Sequence, residues 1–274
     1  MNPKSVSLQK GSRWLVMFAF MFTVINLQAQ EKRIRFVIHT TMGDMEGELF
    51  NETPMHRDNF VKLVKEGWYN NSYFHRVINH FMIQGGQNAD GRQDAGYIVP
   101  AEFHPEKYVH HKGALAAARE GDDVNPTKAS SAAQFYIVQG KKITPAQLDA
   151  FAERYNEDTK NKAIENYILF PGNEKWLLKM EAKKTAHDDV GIKQLRAEVY
   201  AEMLANGEAP KPFHYTQQQK EIYAEKGGTP HLDGSYTVYG QITKGFDVLD
   251  KIAATPVAGS RPIEKVIMKI EILD

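Results

Sequence analysis

Beyond residue 30 the sequence predicts a mainly β chain, an antiparallel barrel closed by short helices and interrupted once by a helical segment. Three observations lead there. Short runs with apolar residues at every second position recur along the chain, as half-buried strands require. Only two short amphipathic helices lie among them. One stretch, 140–228, gives up alternation for helical spacing, and strand-type sequence resumes directly after it.

The elements follow in order. Arg33 to Thr40 alternates, with Ile34, Phe36 and Ile38 on one face. Met42-Gly43-Asp44 is a turn, and Met45 to Phe50 is the return strand of a hairpin. Thr53-Pro54 opens a helix, with Thr53 as N-cap and Pro54 at the first helical position. Its buried stripe is Phe60, Val61, Leu63 and Val64, and Gly67 ends it. Tyr73 to Gln84 is aromatic and β-branched and ends at Gly85-Gly86, where bare backbone permits close approach. Further strands are expected at Gly113–Ala118, Gln134–Val138, Tyr236–Ile242 and around Met268, Ile270 and Ile272, with a second helix over Gly245–Ala253.

Within 140–228, Thr144-Pro145-Ala146-Gln147 reads as a capping box that starts a helix carrying Leu148, Phe151 and Tyr155. Ala163–Phe170, Lys175–Lys184, Ile192–Ala205 and Thr216–Lys226 read as further helices. The domain plan is therefore a signal peptide at 1–29, a barrel domain at 30–139 and 229–274, and a helical insertion at 140–228. Every chemically distinctive motif lies outside the insertion. Its ends, Gly140 and Gly228, must lie close together for the barrel to close.

Composition narrows the function. Basic and acidic residues balance at 34 each, and within 140–228 at 14 each, so no basic field speaks for nucleic acid. With no cysteine, disulfides, thiolate metal sites and a cysteine nucleophile are excluded. Lys4, Lys10 and Arg13 precede a short apolar run, Trp14 to Ile25, and Ala29 offers a small residue for cleavage. That order is the order of a secretory signal peptide, and the run is short for a membrane span. The mature chain, with 31 basic and 34 acidic groups, is expected to be exported to the periplasm without stable membrane insertion.

The most informative stretch is Tyr73-Phe74-His75-Arg76-Val77-Ile78-Asn79-His80-Phe81-Met82-Ile83-Gln84-Gly85-Gly86. It resembles the signature of the cyclophilin-type peptidyl-prolyl cis/trans isomerases, Phe-His-Arg followed after five residues by Phe-Met-x-Gln-Gly-Gly. Gly113–Arg119, Ser131–Val138 and His231–Gly240 resemble three further segments of that family in the same order. The resemblance covers about residues 33–139 and 229–274 and implies an eight-stranded antiparallel barrel with two capping helices.

It also implies the chemistry. A prolyl peptide bond is planar because nitrogen shares its lone pair with the carbonyl, and rotation faces a barrier of about 18–20 kcal/mol. In the twisted transition state the lone pair returns to nitrogen, so a fixed donor aimed there favours that state. Arg76 matches the family's catalytic arginine, and Gln84 braces it and holds substrate backbone with Gln134. Phe81, Met82, Tyr136 and Leu232 form the proline pocket, completed by His231 and Tyr236. The strand end at Ala118 and Arg119 pairs with the peptide chain. The resemblance calls for no metal and no cofactor. The expected partners are proline-containing peptides and unfolded proteins, and the insertion's own partner is not named by the sequence.

Other residues receive plainer readings. His75 is read as structural, because the reaction needs no net proton transfer. His104, His110 and His111 are read as surface-loop residues rather than metal ligands, for want of a further ligand at metal spacing. Asn51-Glu52-Thr53 and Asn70-Asn71-Ser72 match the glycosylation pattern, which is common by chance. The sequence departs from the family at His231, where many members have tryptophan, at Tyr236 for histidine, at Arg119 for asparagine and at Tyr136 for phenylalanine. The first weakens the expected binding of the family's cyclic peptide inhibitor. Two alternatives stand beside isomerisation of exported proteins: a peptide-binding chaperone with weak activity, and a scaffold docking a partner through the insertion.

Overall fold

A computed structural model describes residues 32–273. The expected signal peptide lies outside the described residues. The opening hairpin forms as expected from β1 (Arg35–Thr40) and β2 (Gly43–Leu49), in register from Arg35 opposite Glu48 to Thr40 opposite Gly43. The Thr40 hydroxyl closes the turn, donating to Gly43 O and accepting from the Met42 N–H. Helix α1 (Pro54–Lys65) follows and buries Phe60, Leu63 and Val64.

The Tyr73–Gln84 stretch is three strands rather than one: β3 (Ser72–Tyr73), β4 (Arg76–Ile78) and β5 (Met82–Gly85). A turn separates the last two, with Phe81 N–H donating to Ile78 O and His80 at φ 60°. Then come β6 (Ile98–Val99), β7 (Ala114–Ala117), β8 (Ser130–Ser131) and β9 (Phe135–Val138). The inserted helices are α2 (Pro145–Leu169), α3 (Glu174–Thr185), α4 (Asp189–Ala205) and α5 (Gln217–Lys226). A 3-10 turn at Pro230–Leu232 leads into β10 (Val238–Lys244) and α6 (Phe246–Ala253). The chain ends with β11 (Val257–Ala258), β12 (Arg261–Pro262) and β13 (Ile267–Leu273).

Nine strands form one antiparallel sheet in the order β3-β13-β1-β2-β10-β7-β9-β5-β4. Its outermost strands, β3 and β4, are separated in the chain only by Phe74 and His75. Phe74 N–H bonds back to Val266 O beside β13, and His75 N–H bonds forward to Gln84 O on β5. One bent stretch of backbone therefore links both ends of the curled sheet, which leaves no long unpaired edge. The expected eight strands become nine because this stretch is split at its bend. With six α-helices the described chain is mixed α/β rather than mainly β.

Alternation divides the sheet into two faces. Phe36, Ile38, Ile83, Leu115, Phe135 and Ile137 join Phe60 and Leu63 of α1 and Leu249 and Ile252 of α6 in the main core. Their neighbours Met82, Ala114, Ala116, Tyr136 and Val138 form a separate cluster on the other face.

The insertion leaves and re-enters at glycines in contact. A Cβ on Gly140 would sit 2.5 Å from the Gly228 Cα. Gly228 also bridges to Lys141 and His111, and Lys112 N–H donates to Gly227 O. Helix α2 is one element where two were expected. Residues 156–162 lose the apolar stripe but hold no glycine or proline to break the helix. The capping boxes of Thr144 with Gln147 and Thr216 with Gln219 form in full. Ile164, Ile168, Trp176, Leu195 and Val199 make a core internal to α2, α3 and α4. Leu148, Ala152, Tyr215 and Tyr223 pack instead with Val109 and Ile143 at the root of the insertion.

At the start of α1, Thr53 holds the N-cap position but makes no capping bond with its side chain. It is fully buried, and its hydroxyl turns to Phe50 O. Glu102 caps the helix from across the chain, accepting from the N–H groups of Met55 (3.1 Å) and His56 (2.9 Å) and from His56 Nδ1 (2.6 Å). Burial alone would raise the Glu102 carboxyl, but these bonds hold it below its ordinary value. Glu102→Ala is expected to cost about 2–3 kcal/mol of stability, because two helix N–H groups and the buried His56 lose their partner. Urea unfolding of the variant beside wild type measures it, and an unchanged midpoint would remove this role.

Candidate active site

Register alone assembles the site. Arg76 on β4 lies opposite Gln84 on β5, Gln84 opposite Tyr136 on β9, and Tyr136 opposite Ala116 on β7. These residues form one row across four strands. The next row holds Ile78, Met82 and Val138. Cross-strand partners project from the same face, so both rows stand away from the main core. Phe81, in the β4–β5 turn, and Leu232, in the 3-10 turn, close the face from its sides.

The result is a pocket of about 100 Å³ lined by Arg76, Gln84, Phe81, Met82, Tyr136 and Leu232, with Ala118, Arg119 and Tyr236 on its far wall. Its scale suits one small ring. Small side chains at Ala114, Ala116 and Ala118 leave the room. Arg76 Nη1 donates to Gln84 Oε1 at 3.1 Å, and Gln84 Nε2 donates to Gln134 Oε1 at 3.3 Å, so the guanidinium is held through a chain of two amides. Gly86 makes this possible: its φ is +106°, and a Cβ there would collide with the Ala133 carbonyl just before Gln134.

Two expected residues stand beside the pocket. Gln134 lines the adjoining surface with Gln84. His231 is exposed and stacks on Phe81, ring centroids 5.5 Å apart.

At the far wall, Ala118 of the expected peptide-pairing strand end is already engaged within the fold. Ala118 N–H donates to Gln134 O, and its carbonyl already accepts from Ser131 N–H. Its amide is therefore spent within the fold, and only a second carbonyl lone pair is left. Arg119 contributes its side chain. The guanidinium carbon lies 4.4 Å from the Tyr236 ring centroid, Nε donates to Ser235 O at 2.8 Å, and Nη2 pairs with Asp122 at 2.8 Å. That side chain is 4% exposed and acts as wall.

Behind the pocket lies a network that the sequence reading missed. The Tyr136 hydroxyl is 3.0 Å from His110 Nε2, and His110 Nδ1 is 2.7 Å from Asp233 Oδ1. The His110 backbone N–H donates to the same oxygen. Asp233 Oδ2 accepts from the hydroxyls of Tyr215 (2.9 Å) and Tyr223 (2.6 Å), both in the insertion. Burial holds the hydroxyls of Tyr136, Tyr215 and Tyr223 well above the ordinary tyrosine value, so they keep their protons. His110, expected on a surface loop, is 1% exposed because the insertion's root covers it. The missed signal was Asp233 within the His231–Gly240 segment, a carboxyl directly beside the pocket residue Leu232. Its partners lie 10 to 123 positions away, beyond any local pattern.

Burial of His75, with Arg76 and Arg261 nearby, lowers its value to about 4, so the ring is neutral at neutral pH. Among the described residues no group of three or more histidine, aspartate or glutamate side chains is placed to hold a metal. Ser130, His56 and Glu102 make a serine–histidine–carboxylate series, with His56 Nε2 2.9 Å from Ser130 Oγ. Ser130 is 1% exposed, so a substrate has no access to it and the series is a brace.

The family profile described as cyclophilin type peptidyl-prolyl cis-trans isomerase/CLD matches residues 35–170 and 149–272. Proteins of Staphylococcus epidermidis and Staphylococcus aureus that carry a provisional peptidyl-prolyl cis-trans isomerase name are 30% identical. Each alignment spans 89% of this chain and 94% of the relative. A solved cyclophilin-type isomerase of Cryptosporidium parvum is 20% identical, with a TM-score of 0.49, over 89% of this chain and 99% of that one.

Asp233→Asn keeps the shape of the network but offers one acceptor oxygen where four donors converge. The expected cost is about 3 kcal/mol of stability, together with a raised KM for peptide as the Tyr136 wall loosens. Calorimetry and steady-state kinetics on the variant test both, and wild-type values in each would show that the network does not support the pocket.

Proposed function

Because this chain belongs to the cyclophilin-type peptidyl-prolyl cis-trans isomerases, we propose that it accelerates X-Pro rotation in unfolded exported proteins, with Arg76 as the donor to the prolyl nitrogen. The observation that carries the assignment is the Arg76 guanidinium, fixed by Gln84 at the edge of a small apolar pocket. The proline ring enters between Phe81, Met82, Tyr136 and Leu232. Burying the ring orients the prolyl nitrogen toward Arg76, and the remaining N–H groups of the guanidinium face it. As the bond twists, nitrogen regains its lone pair and accepts from Arg76. A donor already in place stabilises the twisted state without reorganising. The guanidinium stays protonated throughout, so no proton is transferred. Gln84 and Gln134 serve twice: they hold Arg76 in place, and they offer amide groups to the substrate backbone.

The exported setting rests on the amino-terminal sequence, with its cations at Lys4, Lys10 and Arg13, its short apolar run and Ala29. No described helix is long and apolar enough to cross a membrane.

Arg76→Ala is expected to lower kcat/KM for a short X-Pro peptide by about 10²–10³, the scale of losing one oriented donor, with little change in melting temperature. A folded variant with near wild-type activity would falsify the assignment. Mass spectrometry of the protein from its native cell is expected to find a chain beginning near residue 30. An intact Met1 terminus in a membrane fraction would replace export with anchoring.

A further inference from the structure

We propose that the cleft between α2 and the Phe213–Tyr215 segment is a second subsite, taking an aromatic or long aliphatic side chain of the same peptide whose proline fills the first pocket. This inference rests on the pocket being the proline site. The cleft has a volume of about 200 Å³, walled by Phe151, Tyr155 and Phe213, with His231 between it and the pocket and Arg154 and Asp158 also lining it.

Continuity with the pocket makes a peptide the occupant of the cleft. The 3-10 turn Pro230–Leu232 is the partition between the two spaces. Successive side chains on such a turn diverge, so Leu232 lines the pocket while Pro230 and His231 line the cleft. The exposed His231 ring, stacked on Phe81, forms the ridge between them. A chain leaving the pocket on that side crosses His231 and meets the cleft. A tryptophan-sized ring at position 231 would cover more of this passage than imidazole does.

The walls are already set. Asn156 of α2 holds both backbone groups of Phe213, accepting its N–H at 2.7 Å and donating to its carbonyl at 2.9 Å. Tyr155 and Phe213 meet edge to face at 5.6 Å, and Phe213 and Tyr215 at 4.9 Å. The Tyr215 hydroxyl lies within bonding distance of Pro230 O and Asp233, which fixes the insertion against the partition. A pre-formed aromatic cleft binds without the entropy cost of ordering its own side chains. Arg154 and Asp158 carry opposite charges, and the Asp233 carboxylate that also lines the cleft is already engaged by His110, Tyr215 and Tyr223, so the lining favours neither an anionic nor a cationic ligand. Aromatic and aliphatic side chains are what remains.

The test needs only the intact protein and a peptide series. Each peptide carries one X-Pro bond, with Phe or Ser placed in turn at successive positions on either side, and exchange is followed by NMR. At one position Phe is expected to lower KM on the order of tenfold relative to Ser, with kcat unchanged. Tyr155→Ala is expected to erase that preference and Tyr155→Phe to retain it. If no position separates Phe from Ser, or if the preference survives both Tyr155→Ala and Phe213→Ala, the subsite is disproved. If wild type turns over neither these peptides nor a tetrapeptide, the pocket assignment fails first and the subsite with it.

Discussion

The buried carboxylate of Asp233 is the constraint on which the site depends. Its side chain is 2% exposed, and leaving such a group unpaired would cost several kcal/mol. Four donors meet it: the His110 backbone and ring, Tyr215 and Tyr223. Satisfying that one acceptor draws together three remote parts of the chain. The segment before β7 supplies His110, the insertion supplies the tyrosines, and Asp233 follows the 3-10 turn directly after Leu232 of the pocket. Tyr136 then receives a partner for a hydroxyl that would otherwise be stranded in an apolar wall.

This arrangement changes the place of the insertion. Its far helices α2, α3 and α4 share a core of their own and resemble an appendage. Its root does not. Tyr215 and Tyr223 pack with Val109 and Ile143 and bond to the group that positions the pocket wall. The glycines at 140 and 228 let the two ends of the insertion touch, so the sheet closes as if the insertion were a short loop. Length then adds little to the closure cost, which grows only logarithmically.

The catalytic face and the core come from the same strands. On β5, Met82 and Gln84 stand on the pocket face and Ile83 in the core; on β9, Tyr136 stands out between Phe135 and Ile137. A shift of one residue in either strand would exchange the two sets. The tightly packed inner face, with Phe60, Phe135 and Tyr69 edge to face, therefore holds the outer face in register. The site is rigid because it is the back of the core.

The sequence by itself determined the opening hairpin, the two capping helices and the nine residues that line the pocket, from Arg76 to Tyr236. Those features are local: alternation, capping boxes, turn glycines and a motif that places four residues of the pocket, Arg76, Phe81, Met82 and Gln84, within positions 76 to 84. The tertiary structure decided what depends on distant partners. Only the fold placed Glu102 at the start of α1 in place of Thr53's side chain, folded Arg119 onto Tyr236, and buried His110 that the sequence had set on the surface. It also brought Tyr215 and Tyr223 to Asp233. In each case the deciding fact is the burial of a polar group, which must then find a partner. Neither burial nor the partner can be read from neighbours in the chain, because both arise only when remote segments exclude water together.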